Sequence, residues 1–201
     1  MIVKVKIVAS NKKHQFKLNQ SIDQPLDLYN HLPFQLAVVT NLLQLNKDAS
    51  IKEISDLEPR EFRVLLNIGT FMPIKAADIA YLGRLDSYTV SRAVKKLIEA
   101  KLVVVEPDLN NLKVKKLVLT QKGTTLYYQL RDSINERTTE LESVLTCEEK
   151  TVLMGALAKI ECKAESMIAD HANQQLEKEH KIPADQKEII RWYKKSCKTQ
   201  R

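Results

Sequence analysis

Glycine is scarce in this 201-residue chain: there are 4, too few and too dispersed to form the Gly-rich loop that cradles a phosphate in nucleotide-handling enzymes. Cysteine is scarcer still. Cys147, Cys162 and Cys197 are odd in number, contain no CxxC pair and have no histidine at ligand spacing, so neither a disulfide framework nor a metal site is expected. His14, His31, His171 and His180 are scattered, and no serine stands in a nucleophile-elbow setting. The reading is therefore not an enzyme, with no catalytic residues, no metal and no cofactor. No apolar run approaches the roughly 18 residues of a membrane span. The opening "MIVKVKIVAS" alternates Lys with Val and Ile where a signal peptide would be continuously apolar. A cytoplasmic protein without a membrane partner is expected.

What is present points to a globular chain with one or two small cores, 44% hydrophobic and 28% charged. The net charge of +7 is unevenly spread. Residues 1–17 hold five Lys and no acid, and residues 180–201 hold seven Lys or Arg against two acids, leaving −3 between them. Basic ends are often solvating tails, and they also raise affinity for nucleic acid. In the second of them Ile182, Ile189, Ile190, Trp192 and Tyr193 are interleaved with the basic residues. That pattern marks a packed face and favours docking on the protein over contact with nucleic acid.

Val3, Val5 and Ile7 alternate with Lys at period two, and a second short strand is expected around Phe16 and Leu18. "LPFQLAVVTNLLQLNKD", residues 32–48, repeats apolar residues at three and four and predicts a helix. "EPREFRVLLNIG" predicts another, with Pro59 in its first turn and Gly69 at its end. A short helix from about Lys75 to Leu82 is expected to break at Gly83, and a new one to be capped by Asp86 or Ser87. Two helices joined by a short turn make a helix-turn-helix.

The second of them, in "RLDSYTVSRAVKKLIEAK", has an apolar stripe of Val90, Val94, Leu97 and Ile98, with polar and basic residues on its other faces. "LVVVE", the turn chemistry of "PDLNNLK" and the strand "KVKKLVLT" then form a basic hairpin, the wing. Helices are expected over roughly Lys122 to Val144 and from Thr146, where "TCEE" is a capping box. A last one runs from Pro183 to Lys195. The fold class is mainly α with a small β-wing (α+β).

"LEPREFRVLLNI", "AADIAYLGRLDSYTVSRAVKKL", "LVLTQKG" and "LTCEEKTVLMGALAKI" fall, in that order and spacing, as they do in the MarR family of winged-helix transcription regulators. The chain resembles that family over roughly residues 32–160. The resemblance implies a homodimer whose first and last helices intertwine, holding two winged helices on a palindromic double-stranded DNA operator. The helix from Ser87 to Lys101 would enter the major groove, and the wing tip between Pro107 and Lys113 would reach the minor groove. Such proteins usually repress genes, and often release DNA in response to a small aromatic acid, a drug or an oxidant.

The pattern also departs from the family. Its wing signature of Asp-x-Arg reads Asn111-Leu112-Lys113 here, and lysine lacks the planar fork of arginine. The glycine that ends the family's recognition helix falls at Lys101, and a basic wing residue is replaced near Val105. The reactive cysteine of peroxide-sensing relatives has no counterpart before Cys147.

The expected DNA-binding residues follow from chemistry: cations neutralise phosphates, and side chains of a helix in the groove read bases. Arg92 is the first choice for a base or phosphate contact. Ser87, Tyr88, Thr89 and Ser91 would position the helix, and Lys95 and Lys96 would meet phosphates. Asn110, Asn111, Lys113 and Lys115 would act from the wing. By resemblance, a small-molecule effector would lie near His31, Phe34, Val38, Phe62 and Leu66, although for the apolar ones a plain core role is the simpler reading.

The organisation expected is an N-terminal extension with a candidate hairpin (1–30), a first dimerisation helix and loop (31–56) and the winged helix-turn-helix (57–123). C-terminal dimerisation helices (124–178) and a basic extension (179–201) follow. A winged helix that binds proteins and not DNA is the alternative, because one fold serves both uses.

Overall fold

The computed structural model describes residues 16–177 and 187–193. The chain divides into two compact units, Met1–Ala49 and Ser50–Arg201. The first strand of the expected N-terminal hairpin lies outside the described residues. Its second strand falls on residues 16–19, which have no regular structure, with Phe16 and Leu18 exposed.

In the first unit the Asp27 carboxylate accepts the backbone N–H of Tyr29 at 3.0 Å, an Asx turn. The Nδ1 of His31 accepts the N–H of Phe34 at 3.3 Å, closing the first turn of helix α1 (Leu32–Ile54). The helix continues six residues past the expected end at Asp48, because no Gly or Pro interrupts "ASIKEI".

The second unit holds α2 (Pro59–Phe71), α3 (Ala76–Gly83), α4 (Ser87–Glu99), β1 (Val103–Asp108), β2 (Asn111–Leu119), α5 (Gln121–Glu142) and α6 (Cys147–Glu177). Pro59 starts α2 as expected, helped by a capping box between Glu58 and Glu61. Phe62, Leu65 and Ile68 on α2, Ile79 on α3 and Val90 and Leu97 on α4 converge in one core with no more than 1% exposure each. Burial of each of these large side chains contributes roughly 1.5–3 kcal/mol.

Two helix ends differ from expectation. Gly69 does not end α2, which runs to Phe71. Its role is close approach: a Cβ there would stand 2.3 Å from the ring of Tyr127 on α5. Nor does Gly83 break α3. It belongs to the last turn, and the left-handed residue is Arg84 at φ 49°, with the Leu85 N–H donating to the Ala80 carbonyl at 3.0 Å. That closure is a Schellman end carried by an arginine where glycine is usual.

Asp86, not Ser87, caps α4: its carboxylate accepts the Thr89 N–H at 2.8 Å. After α4, Lys101 takes φ 59° and the Leu102 N–H donates to the Leu97 carbonyl at 2.9 Å. The lysine thus occupies the left-handed position for which glycine is best suited.

The wing strands are antiparallel, pairing Val103 with Leu119 and Glu106 with Lys116, with an irregularity between Pro107 and Asp108. Ile74 bridges Leu117 on the other edge of β2 and ties the wing to the α2–α3 connection. From β2 the chain enters α5 directly. The Thr120 hydroxyl donates to the Lys101 carbonyl at 2.8 Å and accepts the Gly123 N–H at 3.0 Å. Gly123 permits this approach, since a Cβ would lie 2.0 Å from the Leu102 carbonyl oxygen.

The capping box expected at α6 is present. The Glu149 carboxylate accepts the Thr146 N–H at 2.8 Å, and the Thr146 hydroxyl accepts the Glu149 N–H at 3.2 Å. The apolar residues Val152, Leu153 and Met154 that follow are exposed.

Candidate nucleic-acid interface

Helix α4 is anchored on one side only. Val90, Ala93 and Leu97, at the three-and-four spacing of a helix face, are buried. On the opposite side Tyr88 (71% exposed), Ser91, Arg92, Lys95 and Lys96 face outward. The Arg92 guanidinium stands 5.6 Å from the Tyr88 ring centroid. That cation–π contact holds it over the helix without using its hydrogen-bond donors.

The N-terminal end of α4 is held by two acids from different parts of the chain. Asp86 caps it, and hydrogen bonds from Thr89, first its side chain and then its backbone, hold the Asp86 carboxyl below the ordinary aspartate value. Glu188 accepts the backbone N–H of Ser87 at 3.1 Å and also the Ser87 hydroxyl.

Between α4 and the start of α2 lies an open cleft of about 450 Å³, lined by Arg60, Thr89, Arg92 and Lys96 together with Glu58 and Glu61. Lys96 is not free there, because its ammonium lies 2.6 Å from a carboxylate oxygen of the nearly buried Glu61. Lys95 has a looser partner in Glu99, at 3.8 Å with both side chains largely exposed.

At the wing tip the Asp108 carboxylate accepts the Asn110 N–H at 2.9 Å and pairs with Lys116 at 3.2 Å. The backbone bond from Asn110, with Lys116 beside it, keeps the Asp108 carboxyl below its ordinary value. The Asn111 side chain accepts the Lys113 N–H at 3.1 Å. These local bonds shape the tip and leave Asn110, Lys113 and Lys115 exposed, with Leu109 at its apex 96% exposed.

A family model described as MarR family matches residues 55–111, from before α2 to the wing tip. Over those residues the winged helix is similar to the MarR family. The chain is 28% identical over 131 residues, 65% of its own length and 87% of the relative's, to the uncharacterised HTH-type transcriptional regulator YybA of Bacillus subtilis (strain 168). It is also similar to the crystal structure of a MarR/EmrR family transcriptional regulator from Acinetobacter sp. ADP1, at 25% identity and a TM-score of 0.64, covering 70% of this chain and 99% of that one. At the level of fold it resembles S. aureus MepR in its DNA complex, at 20% identity and a TM-score of 0.60, covering 67% and 96%. The fold is that of MarR-type transcriptional regulators.

On the winged helix the expected residues group in two places. Ser87, Tyr88, Thr89, Ser91, Arg92, Lys95 and Lys96 lie along α4, and Asn110, Asn111, Lys113 and Lys115 lie on the wing. Ser87 is engaged by Glu188, and the Thr89 N–H by Asp86.

Of the residues expected near an effector, Phe62 is wholly within the core and Leu66 packs against it. His31 closes the first turn of α1, Phe34 is exposed and Val38 is half-buried. The sequence reading missed Arg60, which enters the cleft beside Arg92 because Pro59 and the Glu58–Glu61 box start α2 there. It also missed Glu188, whose partner is 101 residues away. Among the described residues no group of His, Cys, Asp or Glu is placed to hold a metal, and no helix is long and apolar enough to cross a membrane.

Proposed function

We propose that the protein binds double-stranded DNA in a sequence-specific way and regulates transcription from it, with α4 in the major groove and the wing along the adjacent backbone. The observation that carries the reading is the outward face of α4. A helix fixed by three buried residues presents Tyr88, Ser91, Arg92 and Lys95 together, the mixture of polar reader and cation that base edges and phosphates require. The fold likeness to MepR, solved in a DNA complex, supports the same placement.

In this reading the protein is a cytoplasmic, ligand-responsive repressor and a homodimer on a palindromic operator. Exposed apolar residues on α6, such as Val152 and Met154, and on α1, such as Leu42 and Leu45, supply surface that a second chain would cover. The acids around α4, Glu61 and Glu188, favour a second reading, a module that binds a protein.

Fluorescence anisotropy with a labelled duplex from upstream of the protein's own gene, against a scrambled duplex, separates the two. Saturable binding with preference for the upstream duplex supports the regulator, whereas no binding to either duplex at low salt supports the module.

A further inference from the structure

The helical segment over residues 187–193 docks on the winged helix and on α6 through three contacts. Trp192, 6% exposed, meets the Tyr81 ring of α3 edge-on, with centroids 6.0 Å apart. Ile190 packs against Ala172 of α6. Glu188 receives both the N–H and the hydroxyl of Ser87, the first residue of α4. Arg84, in the turn between α3 and α4, completes the seat. Its guanidinium is 4.5 Å from the Tyr81 ring, 5.9 Å from the Trp192 ring and 3.1 Å from a Glu165 oxygen.

The contact made by Glu188 has a chemical meaning. Free N–H groups and the positive end of the dipole make a helix N-terminus a place for an anion, and a serine hydroxyl adds a donor. In this structure that place is filled by a carboxylate of the chain itself, whose side chain is only 19% exposed. A DNA phosphate approaching the start of α4 would seek the same two donors. Glu188 and the phosphate cannot both hold them.

We propose that the segment over residues 187–193 is an autoinhibitory gate, in which Glu188 stands in for a DNA phosphate at Ser87 and Trp192 anchors it against Tyr81. The proposal rests on the DNA-binding reading above and adds a regulated step to it: DNA must displace the segment. A gate closed in about nine molecules of ten weakens apparent affinity about tenfold, and its release restores that factor. Anything that binds the released segment, or pulls Trp192 from its seat, would raise DNA affinity without touching α4.

The full-length protein, Glu188→Ala and Trp192→Ala are compared by anisotropy on the labelled upstream duplex, each checked by thermal melting. The second variant removes the anchor without changing charge. Trp192 is the sole tryptophan, so its emission in the first two proteins reports the seat directly. The gate predicts about tenfold tighter binding by both variants, and a red shift of wild-type emission as duplex is added. Equal or weaker binding by Glu188→Ala, or emission unmoved at saturating duplex, would overturn the gate while leaving the DNA-binding reading intact. Failure of all three proteins to bind any duplex would overturn that reading, and the gate with it.

Discussion

The Lys96 ammonium and the Glu61 carboxylate meet at 2.6 Å across the groove between α4 and α2, and the other Glu61 oxygen accepts the Glu58 N–H at 3.2 Å. One acid therefore caps α2 and neutralises a lysine of α4. Lys96→Ala should cost about 1 kcal/mol of stability, discounted for the exposure of the lysine. It should leave the slope of log affinity against log salt almost unchanged. Lys95→Ala, whose partner is looser, should flatten that slope by roughly 0.9, one phosphate contact. Salt titrations of both variants check this; the reverse order would show that the Lys96–Glu61 pair opens on DNA.

Asp86 links the turn after α3 to α4. Removal of its cap in Asp86→Ala should cost about 1 kcal/mol. Its carboxyl is held below the ordinary aspartate value by hydrogen bonds from Thr89. A depressed folded-state value means that the stabilisation is complete above the unfolded value and is lost as pH falls through the folded one. The melting temperatures of wild type and Asp86→Ala should therefore converge as pH drops below about 4, while Asp86→Asn should keep much of the cap with less dependence on pH. A constant gap between wild type and Asp86→Ala down to strongly acid pH would contradict the assignment.

Gly123 and Gly69 are required by neighbours and not by backbone angles, since no glycine of the described chain has positive φ. A methyl at 123 meets the Leu102 carbonyl oxygen and one at 69 meets the Tyr127 ring. Gly123→Ala should destabilise by about 3 kcal/mol, the upper part of the overpacking range, because a backbone carbonyl cannot turn aside. Gly69→Ala should cost less, about 1–2 kcal/mol, if the Tyr127 ring swings away. Denaturant midpoints of the two variants check the order.

The exposed apolar surface of α6 gives the proposed dimer its test. Light scattering at micromolar concentration should return twice the 23.0 kDa chain mass. Val152→Glu, at a position 72% exposed in the single chain, should shift the protein towards the monomer without lowering helix content. A wild-type monomer would remove the dimer from the account.

How much of this was legible in the sequence follows from the range of the interactions involved. The starts of α2 and α6 could be read because their signals are local: Pro59 in a first turn, and Thr146 with Glu149 three residues on. The wing could be read because β-branched runs flank turn residues, and the outward face of α4 because its buried residues recur at helical spacing. The roles of Gly69, Gly83 and Arg84 could not. Glycine scarcity made each glycine look like punctuation, whereas Gly69 answers a ring 58 residues away and the left-handed angle falls on Arg84.

The C-terminal segment was half legible. The interleaving of Ile189, Ile190 and Trp192 announced docking, and the segment docks against Tyr81 of α3 and the first residue of α4. Nothing in the local pattern ties Glu188 to Ser87. The charge of Lys96 was equally legible and its partner was not, because Glu61 reads as one more solvated acid until α2 and α4 are packed together.

The central claim is that the outward face of α4 reads DNA sequence, and Arg92 is its sharpest element. Arg92 is exposed and touches only the Tyr88 ring among the contacts described, so Arg92→Ala should leave the circular dichroism spectrum and melting temperature within experimental error. Anisotropy titrations of wild type and Arg92→Ala, each on operator-containing and scrambled duplexes at one fixed salt concentration, test it most directly. The account predicts that the wild-type preference collapses in the variant while residual non-specific binding persists, a loss of about 1–3 kcal/mol of discrimination. An Arg92→Ala protein that is folded and still separates operator from scrambled DNA as well as wild type would contradict it.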